Sequence, residues 1–491
     1  MTTRLFLAST LYGAATLAAA LDAGCFGPAD RRILLVSNNA ATPETTPSVD
    51  EMPGFAPLRS RFDDVVSWNA TVFPFHPGAW SPRPDDEPLW ERHLRLAWGI
   101  GDDDLALTVE SLQVDPALGL ARVFTDAPLT VYADGLMSYG PTRNKLDPLV
   151  GTRVERLLHL DLVPGLRPLL LTEFDVPAEV VPTAAFTEVL AELAEAAEAA
   201  DAAGAPVPAE LPTAADPTPQ TAQAAQAAQA GHTAPAMPAS PASPGAAAPA
   251  GPALLLGQYL SALGILTAEE EEHLHVRMLR GAAGLGHTRA VFKPHPTAPA
   301  RFTRTLEEEA ERLGVRLTVV DTPVLAEVLY QRLRPALVVG CFSTALLTAS
   351  AFYGLPVARV GTDTLLERLR PYENSNRVPV TVVDALLPAP DDVAAVAAGR
   401  GALDTDALAD LVRAVGFAMQ PRLLPDLRAE TERYLATRLD ARTRRYFTRK
   451  RLTALGLPGG VPARLAFLPR NATVRRAART ARRLRRAVAR G

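Results

Sequence analysis

The segment Phe292–Pro296 combines residue types that suit a phosphate group. Lys293 is one of only three lysines in the chain, and His295 follows it between two prolines that restrict the backbone. Lysine supplies a permanent positive charge, and histidine can donate a hydrogen bond or a proton as a departing phosphate gains negative charge. We predict that Lys293, His295 and Pro296 bind a phosphate. The alternative is a capped strand end with an incidental histidine.

Two hydroxyl residues follow a second apolar run. Leu337–Val339 leads into Gly340, and Ser343 and Thr344 stand directly before the predicted helix Ala345–Tyr353. The first backbone N–H groups of a helix have no partner within the helix, so together with two hydroxyls they can bind an anion. The alternative is an ordinary helix cap, because Ser and Thr are preferred at helix starts.

A carboxylate follows a third apolar run. Asp134-Gly135 comes after Leu129–Tyr132, and we expect the glycine to permit a tight turn that leaves the carboxylate open to a cleft. A carboxylate in that position can remove a proton from a hydroxyl group. The alternative is a turn without a chemical role, since Asp-Gly is common in turns.

The elements that must position these groups are short apolar runs that end in polar loops. This alternation predicts two parallel, doubly wound sheets, which hold ligands at the carboxyl ends of their strands. In the first half the runs are Ile33–Val36, Leu105–Val109 and Leu129–Tyr132, and Glu110 follows the second of them. In the second half the predicted strands are Ala253–Leu256, Ala290–Lys293, Val315–Val320, Ala336–Val339 and Pro356–Val360, and the predicted helices are Thr267–Arg280, Arg301–Leu313, Val324–Arg332 and Ala345–Tyr353.

Four further polar residues follow predicted strands and are candidate substrate contacts. Gln258 comes just after Ala253–Leu256, Asn38 follows Ile33–Val36, and Ser9 and Thr10 follow the apolar start of the chain. We predict that they contact the bound substrates at the same edge as the stronger candidates.

The apolar segment Leu5–Leu21 allows two interpretations. One is a signal peptide with a lipoprotein-like cleavage site before Cys25, which would make the protein an exported lipoprotein. The other is a buried strand Leu5–Ala8, a tight loop, a helix Ala14–Ala23 and a second strand Ile33–Val36. We adopt the second, because Arg4 is the only early positive charge and a polar stretch interrupts the segment.

Length and composition predict two domains. The chain has 491 residues, of which 48% are hydrophobic, and single cores stop growing near roughly 250–300 residues. We divide it into an α/β domain over 1–195, a flexible Ala/Pro-rich linker over 196–252, a second α/β domain over 253–420 and a helical basic segment over 421–491. Within that last segment Leu427–Arg451 is predicted to be helical.

Charge is distributed unevenly along the chain. The formal charge is −4, and nine arginines lie in Arg470–Arg490 with no acidic residue, so the remainder carries −4 − 9 = −13. Such a tail is either a solvated helix face or a site of attraction to anionic lipid or a polyanionic glycan. The small overall charge does not point to nucleic acid, and no stretch is long and apolar enough to span a bilayer.

Cysteine and histidine usage predicts neither disulfides nor metal ligands. The two cysteines, Cys25 and Cys341, are far apart in the sequence, and the eight histidines are scattered. A reducing compartment is therefore expected, together with a site that works without a metal ion.

Taken in order, Asp134-Gly135, His295-Pro296 and Ser343-Thr344 resemble the three short motifs of bacterial sialyltransferases, and their surroundings resemble the bacterial α-2,8-polysialyltransferase family. The resemblance covers both α/β domains but not the linker. In that family a second acidic residue usually precedes the aspartate, whereas this chain has Ala133. Asp134 is then the sole candidate base at the motif.

The resemblance implies a fold and a reaction. The fold is two Rossmann-like domains facing a central cleft, the GT-B architecture, with the second domain binding the nucleotide sugar. The reaction is inverting transfer of sialic acid from CMP-sialic acid to a glycan or glycolipid hydroxyl, without metal or other cofactor, in the cytoplasm, either free or held at the inner face of the membrane. Asp134 is the expected base, His295 the partner of the leaving group, and Glu327 an acceptor of hydrogen bonds from the ribose, unless it is an ordinary helix carboxylate.

Two other functions remain open from the sequence. One is transfer from a different nucleotide sugar by the same fold, against which stands the lack of an obvious diphosphate-binding glycine-rich loop. The other is a glycan-binding or assembly protein that kept the fold and lost the reaction, a possibility that Ala133 leaves open.

Overall fold

The computed structural model describes residues 1–202, 251–295, 301–399, 401 and 403–461. Three of the predictions therefore concern parts of the chain outside the described residues: the phosphate contact of Pro296, most of the linker, and the role of the tail Arg470–Arg490. The described residues form two α/β domains, each with one parallel sheet.

The central strands of the first sheet have apolar side chains buried on both faces, as in a sheet covered by helices, whereas its two edge strands are more exposed. Its strands are β1 (Thr2–Ala8), β2 (Arg31–Val36), β3 (Asp64–Ser67), β4 (Asp104–Val109), β5 (Leu129–Ala133), β6 (Val154–Leu160) and β7 (Ala178–Val181). All pairs are parallel, in the order β3-β2-β1-β4-β5-β6-β7. The order reverses between β1 and β4, where open sheets of this kind bind ligands.

Seven helices accompany this sheet among the described residues. They are α1 (Leu11–Asp22), α2 (Ala56–Arg59), α3 (Trp68–Val72), α4 (Glu87–Ala97), α5 (Ala117–Val123), α6 (Pro148–Gly151) and α7 (Thr183–Ala202). The succession β1-α1-β2 confirms the predicted strand, helix and strand at the start of the chain. Thr10 caps α1 by accepting a hydrogen bond from Gly13 N–H.

The second sheet has five parallel strands. They are β8 (Ala253–Leu256), β9 (Arg289–Lys293), β10 (Arg316–Val319), β11 (Leu337–Gly340) and β12 (Val357–Arg359). Their order is β10-β9-β8-β11-β12, and every predicted strand of this half is confirmed. The helices are α8 (Ala268–Gly284), α9 (Arg301–Leu313), α10 (Ala326–Leu333), α11 (Thr344–Ala351), α12 (Thr362–Arg368), α13 (Arg377–Leu386), α14 (Val393–Ala398), α15 (Thr405–Met419), α16 (Arg428–Arg438) and α17 (Arg449–Leu455).

Helix α7 joins the two domains into one apolar core. The ring of Phe186 contacts Tyr12 of α1 at a centroid distance of 5.3 Å and Phe352 of the second domain at 6.0 Å. The helix continues through Ala202, so the segment predicted as linker from residue 196 begins inside it. Ala and Glu dominate this stretch, and their high helix propensity explains the extension.

The C-terminal helices return to the first domain, where Gln420 Nε2 donates to Arg143 O over 2.9 Å. The prediction of a continuous helix over Leu427–Arg451 is wrong, because α16 ends at Arg438 and α17 begins at Arg449. Asp440 accepts hydrogen bonds from Arg442 N–H and Thr443 N–H, both at 2.8 Å. An aspartate that binds the next backbone amides stabilises a turn instead of helix.

The described ranges hold neither a membrane-spanning helix nor a cluster of metal ligands. No helix within them is long and apolar enough to cross a membrane. They also contain no group of three or more His, Cys, Asp or Glu side chains placed to hold a metal ion. The two cysteines are not bonded to each other.

Candidate active site

A cleft of about 390 Å³ lies between the two domains, at the carboxyl ends of strands from both sheets. Residues from separate parts of the sequence meet in it. They include Glu110, Asp134 and Gly135 from the first domain and Gln258, Ser343 and Thr344 from the second.

The Asp134-Gly135 loop and the Ser343-Thr344 pair face each other across this cleft. Leu136 N–H points to Thr344 Oγ1 in a long contact of 3.5 Å. The predicted tight turn begins at Gly135, since Ser138 N–H donates to Gly135 O at 3.2 Å. Gly135 itself has extended backbone, with φ −141° and ψ −177°, so the turn does not require glycine at this position. A Cβ at this position would lie 3.0 Å from Thr344 Oγ1. Glycine therefore lets the second domain approach this closely without displacement of the Thr344 hydroxyl.

The Asp134 carboxylate is half-buried beside the start of α1. A Cβ on Gly13, the third residue of that helix, would lie 3.5 Å from Asp134 Oδ2 and 2.9 Å from Tyr132 Oη. Burial raises the pKa of Asp134 to about 6, which makes its carboxylate a stronger base than an exposed aspartate. The position therefore suits a group that accepts a proton near neutral pH.

Glu110 is a second carboxylate in the cleft, and no role was predicted for it from the sequence. It follows β4, the neighbour of β5, and its Oε1 accepts a hydrogen bond from Ser9 N–H at 2.7 Å. Burial, and then the charge of Asp134, raise the pKa of Glu110 to about 7. In the sequence, Glu110 stands directly after a buried strand, and this position could have identified it as a candidate. The sequence does not show, however, that β4 and β5 are adjacent.

Ser9 and Thr10 lie in the short loop between β1 and α1, next to Glu110 and Gly13. Ser9 binds Glu110 through its backbone, and Thr10 Oγ1 accepts from Gly13 N–H at 2.9 Å. They are not among the residues that line the cleft, so the structure gives them supporting positions.

Asn38 lies outside the cleft, in a separate cavity of about 450 Å³ at the ends of β2 and β3. Its Nδ2 donates to Pro43 O and to Thr46 O, at 3.1 and 2.9 Å. The side chain thus holds its own loop in place, and the structure does not bring it to the other candidate residues.

On the second domain, Ser343 and Thr344 open helix α11 toward the cleft. Ser343 Oγ accepts from Ala345 N–H at 3.3 Å, which is a cap, while the Thr344 hydroxyl faces the first domain. Gln258 lines the cleft after β8, and its Oε1 accepts from Phe342 N–H at 3.0 Å. Gln258 therefore fixes the loop that carries the hydroxyl pair.

Lys293 ends β9 and His295 lies two residues further on. Strand β11 lies two strand spacings from β9, so the backbone of Lys293 lies roughly 10 Å from that of Gly340, the end of β11, at a strand spacing of about 4.8 Å. Lys293 and His295 do not line the described cleft. Lys293 is buried and its Nζ donates to Pro294 O at 3.3 Å. Burial lowers the pKa of Lys293 to about 8. Desolvation and the nearby Lys293 charge lower the pKa of His295.

Glu327 lies in the first turn of α10 and is 2% exposed. It accepts a hydrogen bond from Thr348 Oγ1 at 2.7 Å, and burial raises its pKa. It is not among the residues that line the cleft. Its predicted hydrogen bonds to a ribose would therefore require its side chain to become accessible.

The sequence matches a family model described as Alpha-2,8-polysialyltransferase (POLYST) over residues 4–362, more than half of the chain. The chain belongs to this family. The matched range includes Asp134, His295 and Ser343-Thr344, and membership makes the protein a glycosyltransferase. The predicted pair of Rossmann-like domains around a central cleft, the GT-B architecture of polysialyltransferases, is confirmed.

Solved structures resemble this polysialyltransferase-family chain at low identity. A sialyltransferase GT-B domain from Photobacterium damselae is 10% identical with a TM-score of 0.36, covering 78% of this chain and 96% of that one. A glycosyltransferase from Rickettsia africae is 10% identical with a TM-score of 0.31, covering 69% and 72%. Medicago truncatula UGT71G1 complexed with UDP-glucose is 9% identical with a TM-score of 0.40, covering 87% and 98%. No individual curated sequence gives a significant match.

Proposed function

We propose that the protein is an inverting, metal-independent sialyltransferase or polysialyltransferase that moves sialic acid from CMP-sialic acid to a hydroxyl of a glycan or glycolipid. The family match supports the donor class. The observation that carries the proposal is the meeting of the Asp134-Gly135 loop with the Ser343-Thr344 pair across the cleft, at the 3.5 Å contact between Leu136 N and Thr344 Oγ1.

Asp134 is the general base in this proposal. The acceptor hydroxyl transfers its proton to the Asp134 carboxylate while its oxygen attacks the anomeric carbon of the sialyl group. The attack comes from the face opposite the departing CMP, so the configuration inverts in one displacement. The raised pKa of Asp134 supports this role because it brings the strength of the base close to the working pH.

The leaving group is a phosphate monoester, which carries less charge than a diphosphate. The electron pair of the breaking carbon–oxygen bond passes to a phosphate oxygen of CMP. In this proposal the hydroxyls of the Ser343-Thr344 pair, which line the cleft, donate hydrogen bonds to the phosphate. Lys293 and His295 do not line the described cleft, and their positive charge and hydrogen-bond donors act on the phosphate once the bound donor extends toward β9. These groups, with the N-terminus of α11, can share the charge of one phosphate without a cation.

A donor panel tests the reaction class. The protein is incubated with CMP-sialic acid and, separately, with UDP- and GDP-sugars, and the released nucleotide and the glycan product are measured. We expect turnover only with CMP-sialic acid. Transfer from a diphosphate sugar alone would contradict the proposal and favour another glycosyltransferase of the same fold.

The variant Asp134→Asn tests the assigned base. We expect kcat to fall by about 100- to 10,000-fold, the usual contribution of general base catalysis, while CMP affinity measured by calorimetry stays within error. The comparison variant His295→Ala should lower both turnover and CMP affinity. Unchanged turnover in Asp134→Asn would remove this residue from the mechanism.

A further inference from the structure

Glu110 and Asp134 lie on the same face of the first sheet. In the register of the parallel pair β4 and β5, Val109 is the partner of Val131, which places Glu110 level with Tyr132. Side chains alternate along a strand, so Asp134 shares the face of Tyr132 and Glu110, whereas Ala133 points to the other face.

This arrangement shows that alanine at position 133 does not leave Asp134 without an acidic neighbour. An acidic side chain at position 133 would extend from the face opposite Asp134 if the alternation of β5 continued. Ala133 itself packs against the apolar cluster on that opposite face. The neighbouring strand β4 supplies a carboxylate on the face where Asp134 stands, at the same edge of the sheet. A second acidic side chain therefore stands beside Asp134 at the end of the neighbouring strand and not at position 133.

The surroundings of the two carboxylates disfavour the ionisation of both at once. Ser9 N–H donates to Glu110, and the hydroxyl of Tyr132 is occupied because it donates to Leu7 O at 2.9 Å. The hydroxyl of Tyr12, on α1, also lies in the electrostatic surroundings of Asp134. None of the described residues that line the cleft is an arginine or a lysine. Two partly buried carboxylates without a nearby cation repel each other when both are ionised, so the second ionisation is disfavoured.

This inference rests on the proposed sialyl transfer. We propose that Glu110 is the second acid of the site, a positioning residue that shares one proton with Asp134 and sets the strength of the base. The structure supports this with two carboxylates at the ends of adjacent strands, on one face and in one cleft.

The proton balance of the step is simple. The acceptor O–H bond breaks and its proton binds Asp134, while the new bond forms between the acceptor oxygen and the anomeric carbon. The bond from that carbon to the CMP phosphate breaks, and its electron pair stays on the phosphate. When Glu110 is ionised its negative charge strengthens the binding of the proton to Asp134, and after the step the pair releases the proton to water.

The test is the pH profile of kcat/KM in Glu110→Gln. In the wild-type protein the pair takes up its first proton near the pKa of Glu110, about 7, whereas Glu110→Gln leaves only Asp134, whose pKa is about 6. Without the negative neighbour Asp134 is a weaker base, so we expect the acid limb of the profile to move to lower pH by about one unit. At pH 8 the variant should be less active than the wild-type protein. Near pH 5 the ratio of its activity to that of the wild-type protein should be higher than at pH 8. A profile lowered equally at every pH, with an unmoved acid limb, would overturn the proposal, because that is the result of structural damage.

Two further variants serve as references for this profile. Asp104→Asn changes an exposed acid at the opposite end of the same strand, β4, and should leave the acid limb in place. Glu110→Asp keeps the negative charge, so the acid limb of its profile should lie close to that of the wild-type protein. A limb that moves equally in Asp104→Asn would contradict a local effect of Glu110.

A direct titration separates failure of this inference from failure of the proposed function. Carboxyl ionisation followed by infrared or NMR spectroscopy needs no donor, so it applies whatever sugar the enzyme transfers. We expect two successive carboxyl ionisations in the wild-type protein, with pKa values of about 6 and about 7, and a single one near 6 in Glu110→Gln. A wild-type protein without the upper ionisation would refute the shared proton, whereas the expected titration in an enzyme that ignores CMP-sialic acid would refute only the sialyl reaction.

Discussion

Adding a single methyl group at Gly13 should impair catalysis without unfolding the protein. Gly13 lies in the first turn of α1, and a Cβ there would lie 2.9 Å from Tyr132 Oη, 3.1 Å from Thr10 Oγ1 and 3.5 Å from Asp134 Oδ2. The first two distances are shorter than ordinary contacts. The phenol of Tyr132 is held by its hydrogen bond to Leu7 O, so Gly13→Ala should displace β5 just before the base.

The structure bounds both effects of this variant. Overpacking a well-filled site costs about 1–3 kcal/mol, and replacing glycine by alanine within a helix returns up to about 1 kcal/mol. The free energy of unfolding should therefore fall by no more than about 3 kcal/mol. Misplacement of a catalytic group by about 1 Å can cost about 100-fold in rate. Relief of these contacts needs less movement than that, and we expect kcat to fall by about 10- to 100-fold.

Steady-state kinetics and urea unfolding of the same preparations measure the two quantities, with CMP affinity as a third readout that should not change. Gly284→Ala is the matched control, because Gly284 ends helix α8 and a Cβ added there would meet no atom within 4 Å. The control should keep both kcat and stability. Gly13→Ala with the kcat of the wild-type protein would refute the placement of the base beside α1.

Two pH-dependent predictions follow from buried groups of the second domain. Burial lowers the pKa of Lys293 to about 8, and a phosphate binds its charged form. CMP affinity measured by calorimetry should therefore fall about 15-fold between pH 8 and pH 9.5, and Lys293→Arg, charged throughout, should abolish this dependence. Burial raises the pKa of Glu327 in the folded protein, so its contribution to stability is present at low pH and is lost as pH rises through that value. Glu327→Gln should accordingly reduce the loss of stability between pH 5 and pH 8 in urea unfolding, and an equal loss in both proteins would contradict this reasoning.

The sequence predicted most of the second domain because local patterns decide its elements. Ala253–Leu256 is continuously apolar and forms β8 over the same residues. The helix Arg301–Leu313 has the same bounds in the prediction and in the structure. The break between α16 and α17 was missed, since it depends on Asp440 binding the backbone ahead of it. A composition that favours helix on both sides of this turn does not reveal it.

The candidate site, like the fold, could be predicted from the sequence only in part. The sequence by itself determined which side chains follow buried strands, among them Asp134, Lys293 and Ser343, because apolar runs and polar loops are local features. Only the tertiary structure decided which of them meet. It placed the Thr344 hydroxyl beside Gly135, and it buried Glu327, whose carboxylate accepts a hydrogen bond from Thr348. Strand order and the approach of two domains arise from contacts between distant segments, and it is strand order that brings Glu110 to the side of Asp134.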